Sequence, residues 1–164
     1  MLLRQGLAAL RPASVDSYHL ALLAEAYGNL QQPAEGLQMV AQALVMVDKT
    51  GERWWEAELY RLRGELLLQS TVQDPPSTVG QMVSGRPAPA REAEACFRQA
   101  LEVARRQDAK SLELRAAMSL SRLWQRQGKR AEARTPLAEI YGWFTEGFDT
   151  ADLQEARALL EMLS

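Results

Sequence analysis

The chain holds a single cysteine, Cys96, and a single histidine, His19. One thiol rules out an intrachain disulfide and any metal cluster built on cysteine. One imidazole leaves no histidine pair at metal-ligating spacing, and any Ser-His-Asp arrangement would have to use His19, which falls in the first turn of a helix. Phosphate-cradling signatures are missing too. No glycine-rich loop ends in Gly-Lys-Ser or Gly-Lys-Thr, and no Gly-x-Gly-x-x-Gly links a strand to a helix. Apolar runs stay far below the roughly 20 residues needed to cross a bilayer. The first residues, MLLRQGLAALRP, lack the basic leader and cleavage site of a secretory signal. Charge of one sign is also scarce: Lys and Arg total 19 and Asp and Glu 21, a net charge of −2. No global excess draws the chain to nucleic acid. These absences predict a non-enzymatic protein with no cofactor, no metal site, no nucleic-acid partner and no membrane span. A lone thiol fits a reducing compartment, so the expected location is the cytoplasm.

What the sequence does contain is helical spacing. Its 164 residues suffice for one domain with a real core. Apolar side chains recur at three and four residues in eight stretches. A short one covers residues 3–10, with Leu3, Leu7 and Leu10, and Pro12 stops it. Ser14, Val15, Asp16 and Ser17 form a helix-start cluster for a helix over 18–31. Pro33 opens another over 34–48, ended by Gly51, which can take the left-handed cap conformation. The next is predicted from Glu52 to Gln69 and includes Trp54 and Trp55. Residues 70–90 are rich in Pro, Gly, Ser and Thr and read as an insertion loop. Helices then follow over 90–107 and 111–127. A further one runs from Arg130 past Pro136 and Phe144 to a stop at Gly147, and a last one, capped by Asp149, reaches Leu163.

Small residues mark a repeat. Ala24, Gly64 and Ser121 are each followed three residues later by a larger apolar one, Tyr27, Leu67 and Trp124. In the partner helices the corresponding sets are Gly36/Val40/Ala43, Ala93/Phe97/Ala100 and Ala133/Leu137/Ile140. The interval from Ala24 to Gly64 equals that from Ala93 to Ala133. The interval from Gly64 to Ser121 is longer, and it equals that from Gly36 to Ala93, as if one repeat had a segment spliced in. Both markers locate the splice in 70–90. The spacing predicts an all-α fold, an α-solenoid of stacked antiparallel helix hairpins in which each pair buries its apolar face on its neighbours. It comprises about three repeats forming a single domain over 1–164. Residues 1–11 are a remnant helix of a preceding repeat, and residues 149–163 a capping helix.

These positions resemble the tetratricopeptide repeat. The family's small and aromatic positions are matched by Ala24, Tyr27 and Ala43, then by Gly64, Ala93, Phe97 and Ala100, then by Ser121, Trp124, Gly128 and Ala133. Gly36, Val40 and Ile140 depart from the pattern, and the 40-residue period exceeds the family's usual ~34. In that respect the chain is similar to the repeats of bacterial signalling ATPases and maltose-regulator-type transcription activators. Nearly all of it except 70–90 looks like the C-terminal repeats of bacterial multidomain proteins that carry a nucleotide-cyclase-like domain and an AAA- or STAND-type ATPase. The resemblance implies a scaffold in signal transduction, holding a protein partner or a neighbouring domain of the same polypeptide. Its alternative is a repeat domain that senses a small ligand in its groove.

By likeness and helical spacing the first helix of each pair lines the concave side. The groove candidates are Tyr18, Ala21, Glu25 and Gly28; Glu58, Arg61, Glu65 and Leu68; and Arg115, Met118, Arg122 and Gln125. The Lys and Asn residues with which the family clamps chaperone tails are missing. Trp54 and Trp55 are candidate aromatic anchors, because adjacent helical residues point about 100° apart and one of them can face a partner. The run Arg105-Arg106, Lys110, Arg122, Arg126, Lys129, Arg130 and Arg134 is interleaved with acids and reads as a solvated face. Cys96, beside Phe97, reads as a packing residue. The N-terminal end has only residues 3–10 as cover, so a second copy or a further domain could dock there.

Overall fold

The computed structural model describes residues 16–73 and 89–164, and among these it contains seven α-helices and no strand. They are α1 (Ser17–Asn29), α2 (Pro33–Thr50), α3 (Glu56–Gln73), α4 (Pro89–Arg106), α5 (Lys110–Arg126), α6 (Arg130–Tyr141) and α7 (Ala151–Met162). The helix expected over 3–10, the remnant 1–11 and most of the loop 70–90 lie outside the described residues.

Local signals account for the helix ends. Asp16 caps α1, its carboxylate accepting the His19 N–H at 3.0 Å, one of the four donors a helix start leaves without an internal partner. Pro33 occupies the first turn of α2, and Gly51 ends that helix at φ 74°. Three boundaries differ from expectation. Helix α3 starts at Glu56, not Glu52: the Glu56 N–H bonds the Arg53 carbonyl, closing a tight turn that carries Trp54 and Trp55. Helix α6 stops at Tyr141 rather than Gly147, because the N–H groups of Trp143 and Phe144 bond carbonyls three residues back and the chain tightens into turns. Thr150, not Asp149, is the cap residue of α7, and its hydroxyl is committed to the Gly147 carbonyl at 2.7 Å. The predicted loop also begins late, since α3 continues through residues 70–73.

The helices pack in a simple order. Each touches the next, and α1 touches α3, α3 touches α5, and α5 touches α7. No Cα of α2, α4 or α6 comes within 8 Å of another of these even-numbered helices. One core cluster joins α1, α2 and α3 through Leu20, Ala24, Val40, Leu59 and Leu66. Another fills α4 to α7 around Phe97, Leu114, Leu120 and Leu137. Each large side chain sealed this way stabilises the fold by about 1.5–3 kcal/mol. Trp55 and Tyr60 bridge these clusters through a third built on Ala57, Val103, Ala104 and Leu112.

Close approach depends on small residues. At Gly64 an added Cβ would lie 2.8 Å from Cδ1 and 2.9 Å from Cζ of Phe97, so the ring of α4 seats directly on the backbone of α3. Ala24, Ala43, Ala93, Ala100, Ala117 and Ala133 are fully buried. The buried Ser121 hydroxyl donates to the Ala133 carbonyl at 2.6 Å and so ties α5 to α6. Cys96 is buried in α4, and burial pushes its thiol pKa up.

Candidate functional site

The odd-numbered helices bring charged side chains from distant parts of the sequence onto one face. Glu58 of α3, 3% exposed, accepts from Arg61 Nε at 2.9 Å and Nη2 at 2.7 Å. Its Oε1 also accepts from Arg115 Nη1 of α5 at 3.2 Å. Arg115 Nε continues to Asp152 of α7 at 3.0 Å. Beside this chain, Ser119 of α5 donates to Glu65 of α3 at 2.6 Å, and Arg122 of α5 pairs with Glu155 of α7. The result is a ladder of ion pairs running from α3 across α5 to α7.

The ladder governs its own electrostatics. Burial opposes the charge on Arg61, but the hydrogen bonds and charge of Glu58, with Glu65 and Glu25 behind, raise its pKa further above its normal range. The bidentate Arg–carboxylate geometry is the strong form of this contact. A half-open recess of about 160 Å³ between α1 and α3 borders the ladder, lined by Glu25, Asn29, Arg61, Glu65 and Gln69 beside Gly28.

Of the groove residues expected from spacing, the structure joins Glu58, Arg61, Glu65, Arg115 and Arg122 in this ladder and sets Glu25 next to it. Gln125 sits with Arg122, Glu155 and Met162 around a second recess of about 260 Å³. Met118 is 3% exposed, in the core rather than the groove, because α5 is packed by α3, α4, α6 and α7. Ala21 and Gly28 are buried as well. Asp152, Glu155 and Ser119 are not among the residues that spacing placed in the groove; Asp152 reads from the sequence as a first-turn carboxylate that complements the helix dipole. The acids could have been found by asking which charges the last helix offers to the arginines before it.

Tyr18 lies elsewhere, in an aromatic corner with both candidate anchors. Its ring stands 5.7 Å from Trp54 and 5.4 Å from Trp55, and the two indoles are 5.4 Å apart. Trp54 is 56% exposed, whereas Trp55 is half-buried with its Nε1 sealed from solvent and without a hydrogen-bond partner. Trp143 and Phe148 are exposed in the turns before α7, Trp143 under the Lys110 ammonium at 5.7 Å.

The two ends of the row have different surfaces. Leu22 of α1 and Leu30, the residue that caps its C-terminal end, are both exposed, with Ala26 half-buried between them. On α7 the outward residues include Gln154, Arg157, Glu161 and the exposed Met162, and Arg157 pairs with Glu161 at 3.1 Å. Among the described residues no three His, Cys, Asp or Glu side chains gather as a metal site, and no helix is long and apolar enough to cross a membrane. Set against protein-family models, curated proteins and solved structures, the chain matches none of them.

Proposed function

We propose that the chain is a non-catalytic protein-interaction module, an α-solenoid whose row of helices holds a partner protein or a neighbouring domain. The observation that carries this reading is the contact order: α1, α3, α5 and α7 touch in sequence while no Cα of α2, α4 or α6 comes within 8 Å of another of these three. Such a row extends by adding pairs, and its end faces are surfaces for a further body. Two further features support it. The small residues at the repeat positions are buried at helix contacts. The α1 end carries an exposed apolar pair, Leu22 and Leu30, where α7 presents the Arg157–Glu161 pair beside Met162. The context we propose is the C-terminal regulatory region of a bacterial signalling ATPase or cyclase, acting in the cytoplasm.

A photo-crosslinking residue at Leu30, in cells making the natural full-length protein, tests this reading. It should trap a protein segment, from the same polypeptide, a second copy or another protein. The same residue at Gln154 on α7 should trap little. Equal trapping at both positions, or none at Leu30, would remove the reading.

A further inference from the structure

A cleft of about 650 Å³ opens on the other side of the molecule, between α4 and α6 and over α5. Its cause is the packing order. Each of these two helices rests on α5, and no Cα of one comes within 8 Å of the other. Leu101, Leu120 and Trp124 make it largely apolar, and the Arg98 guanidinium lies over the Trp124 ring at 5.2 Å.

Its walls carry opposite charge. The α4 wall presents Arg98, Arg105 and Arg106, with Glu102 among them, and the α6 wall presents Glu132 and Glu139. These walls do not neutralise each other. Arg98 pairs with Glu94 on its own helix, and Arg105 uses its Nε for Glu113. Arg106, Glu132 and Glu139 form no ion pair with any described residue. Pro136 also lies on the α6 wall. It lacks the N–H that would bond the Glu132 carbonyl, so that oxygen is left without its helical donor. The Thr135 hydroxyl donates to the Ala131 carbonyl and keeps its lone pairs free.

A cleft of this volume lies in the range of small-ligand sites, whose usual form is an apolar lining with a few fixed polar groups. The guest that satisfies both walls at once must carry an anion, a cation and an apolar middle. We infer that the α4–α6 cleft binds short apolar peptides with free termini. The peptide carboxylate meets Arg106 and the outer nitrogens of Arg105. The peptide ammonium meets Glu132 and Glu139. The apolar side chains lie on Leu101 and Trp124. A purely anionic or purely cationic ligand would satisfy one wall and face like charge at the other, a repulsion that works as discrimination.

The test uses the dipeptide leucyl-leucine, its N-acetyl form and its C-amide form, with the whole chain labelled in nitrogen-15. The indole N–H signal of Trp124, assigned by Trp124→Phe, is the readout. Leucyl-leucine should shift this signal saturably, and each capped form should bind about tenfold more weakly or less, the equivalent of one lost charge contact. Arg106→Gln should erase the advantage of leucyl-leucine over its C-amide, and Glu132→Gln its advantage over the N-acetyl form. Both positions are exposed, and an unchanged melting temperature verifies that the variants fold. No saturable shift up to about 10 mM would overturn the inference. So would capped forms that bind as well as the free dipeptide, since the cleft would then be a generic apolar crevice. Neither result touches the Leu30 crosslinking experiment, which probes the other end of the molecule.

Discussion

The face made by α3, α5 and α7 and the cleft between α4 and α6 contain the same kinds of residue and use them in opposite ways. On the face, Glu58, Arg61, Arg115 and Asp152 meet within about 3 Å and consume one another's charge. In the cleft, Arg106 stands across from Glu132 and Glu139 with no ion pair between them. Helix separation makes the difference. The odd-numbered helices touch, so charges at facing positions find each other. The even-numbered helices are held apart by α5, so theirs cannot. Charges on the face therefore act mainly in stability and register, while charges in the cleft remain available to a guest.

The strongest challenge to this contrast is Glu58→Ala. Removing a buried partner leaves Arg61, only 15% exposed, without its main counter-charge. The expected loss is about 3 kcal/mol in urea unfolding, the low end for broken buried pairs because Arg115 is 36% exposed and partly screened. A loss below about 0.5 kcal/mol would mean that the face is no more committed than the cleft. Gly64→Ala probes the packing that keeps α3 against α4 and the ladder in register. Its methyl group would displace the Phe97 ring, for a loss of about 1–3 kcal/mol by the same measurement. A double-mutant cycle of Glu58→Gln with Arg115→Met sharpens the comparison further, with an expected coupling of about 0.5–2 kcal/mol. The corresponding cycle of Arg106→Gln with Glu132→Gln should give none.

Asp16 supplies a case between the two regions, a single carboxylate spent on a helix end. The His19 backbone N–H, foremost, lowers its pKa; burial works against it, and the His19 ring adds to the lowering. Because the folded-state pKa is depressed, its contribution is fully present above about pH 4 and fades as pH falls through the folded value. Asp16→Ala should cost about 1 kcal/mol at neutral pH and progressively less in acid, as followed by unfolding at several pH values. The smallest effect belongs to the cleft. Arg106→Gln and Glu132→Gln should each stay within about 0.5 kcal/mol of the parent.

Much of the helical layout could be read from spacing alone. Ala24, Gly64 and Ser121 are buried as their recurrence implied, and Phe97 seats on Gly64. Trp54 and Trp55 do divide into one exposed and one half-buried ring, although a turn rather than a helix presents them. The mutual pairing of groove charges was less visible, though the sequence contains part of it. Glu58 precedes Arg115, and Glu65 precedes Arg122, by the same interval that separates Gly64 from Ser121. The first of these equivalences meets as an ion pair, Glu58 with Arg115, whereas Glu65 takes Ser119 and Arg122 turns to Glu155. Asp152 and Glu155 follow those arginines at two unequal intervals, neither of them the period, so no repeat arithmetic reaches them. Met118 goes to the core for a related reason: a helix with neighbours on four sides has almost no free face, and one-dimensional periodicity does not count neighbours. The width of the α4–α6 gap is set by the bulk of α5 between them, which no local pattern encodes.

Cys96 gives the molecule a built-in clock. It is the sole thiol, and it is buried in α4 one residue before the ring that sits on α3. An alkylating reagent reaches it faster when that helix comes away, so the labelling rate reports excursions out of the native state, without any added dye or engineered probe. Loosening of the joint between the two halves of the core would then be read directly as faster modification of one atom.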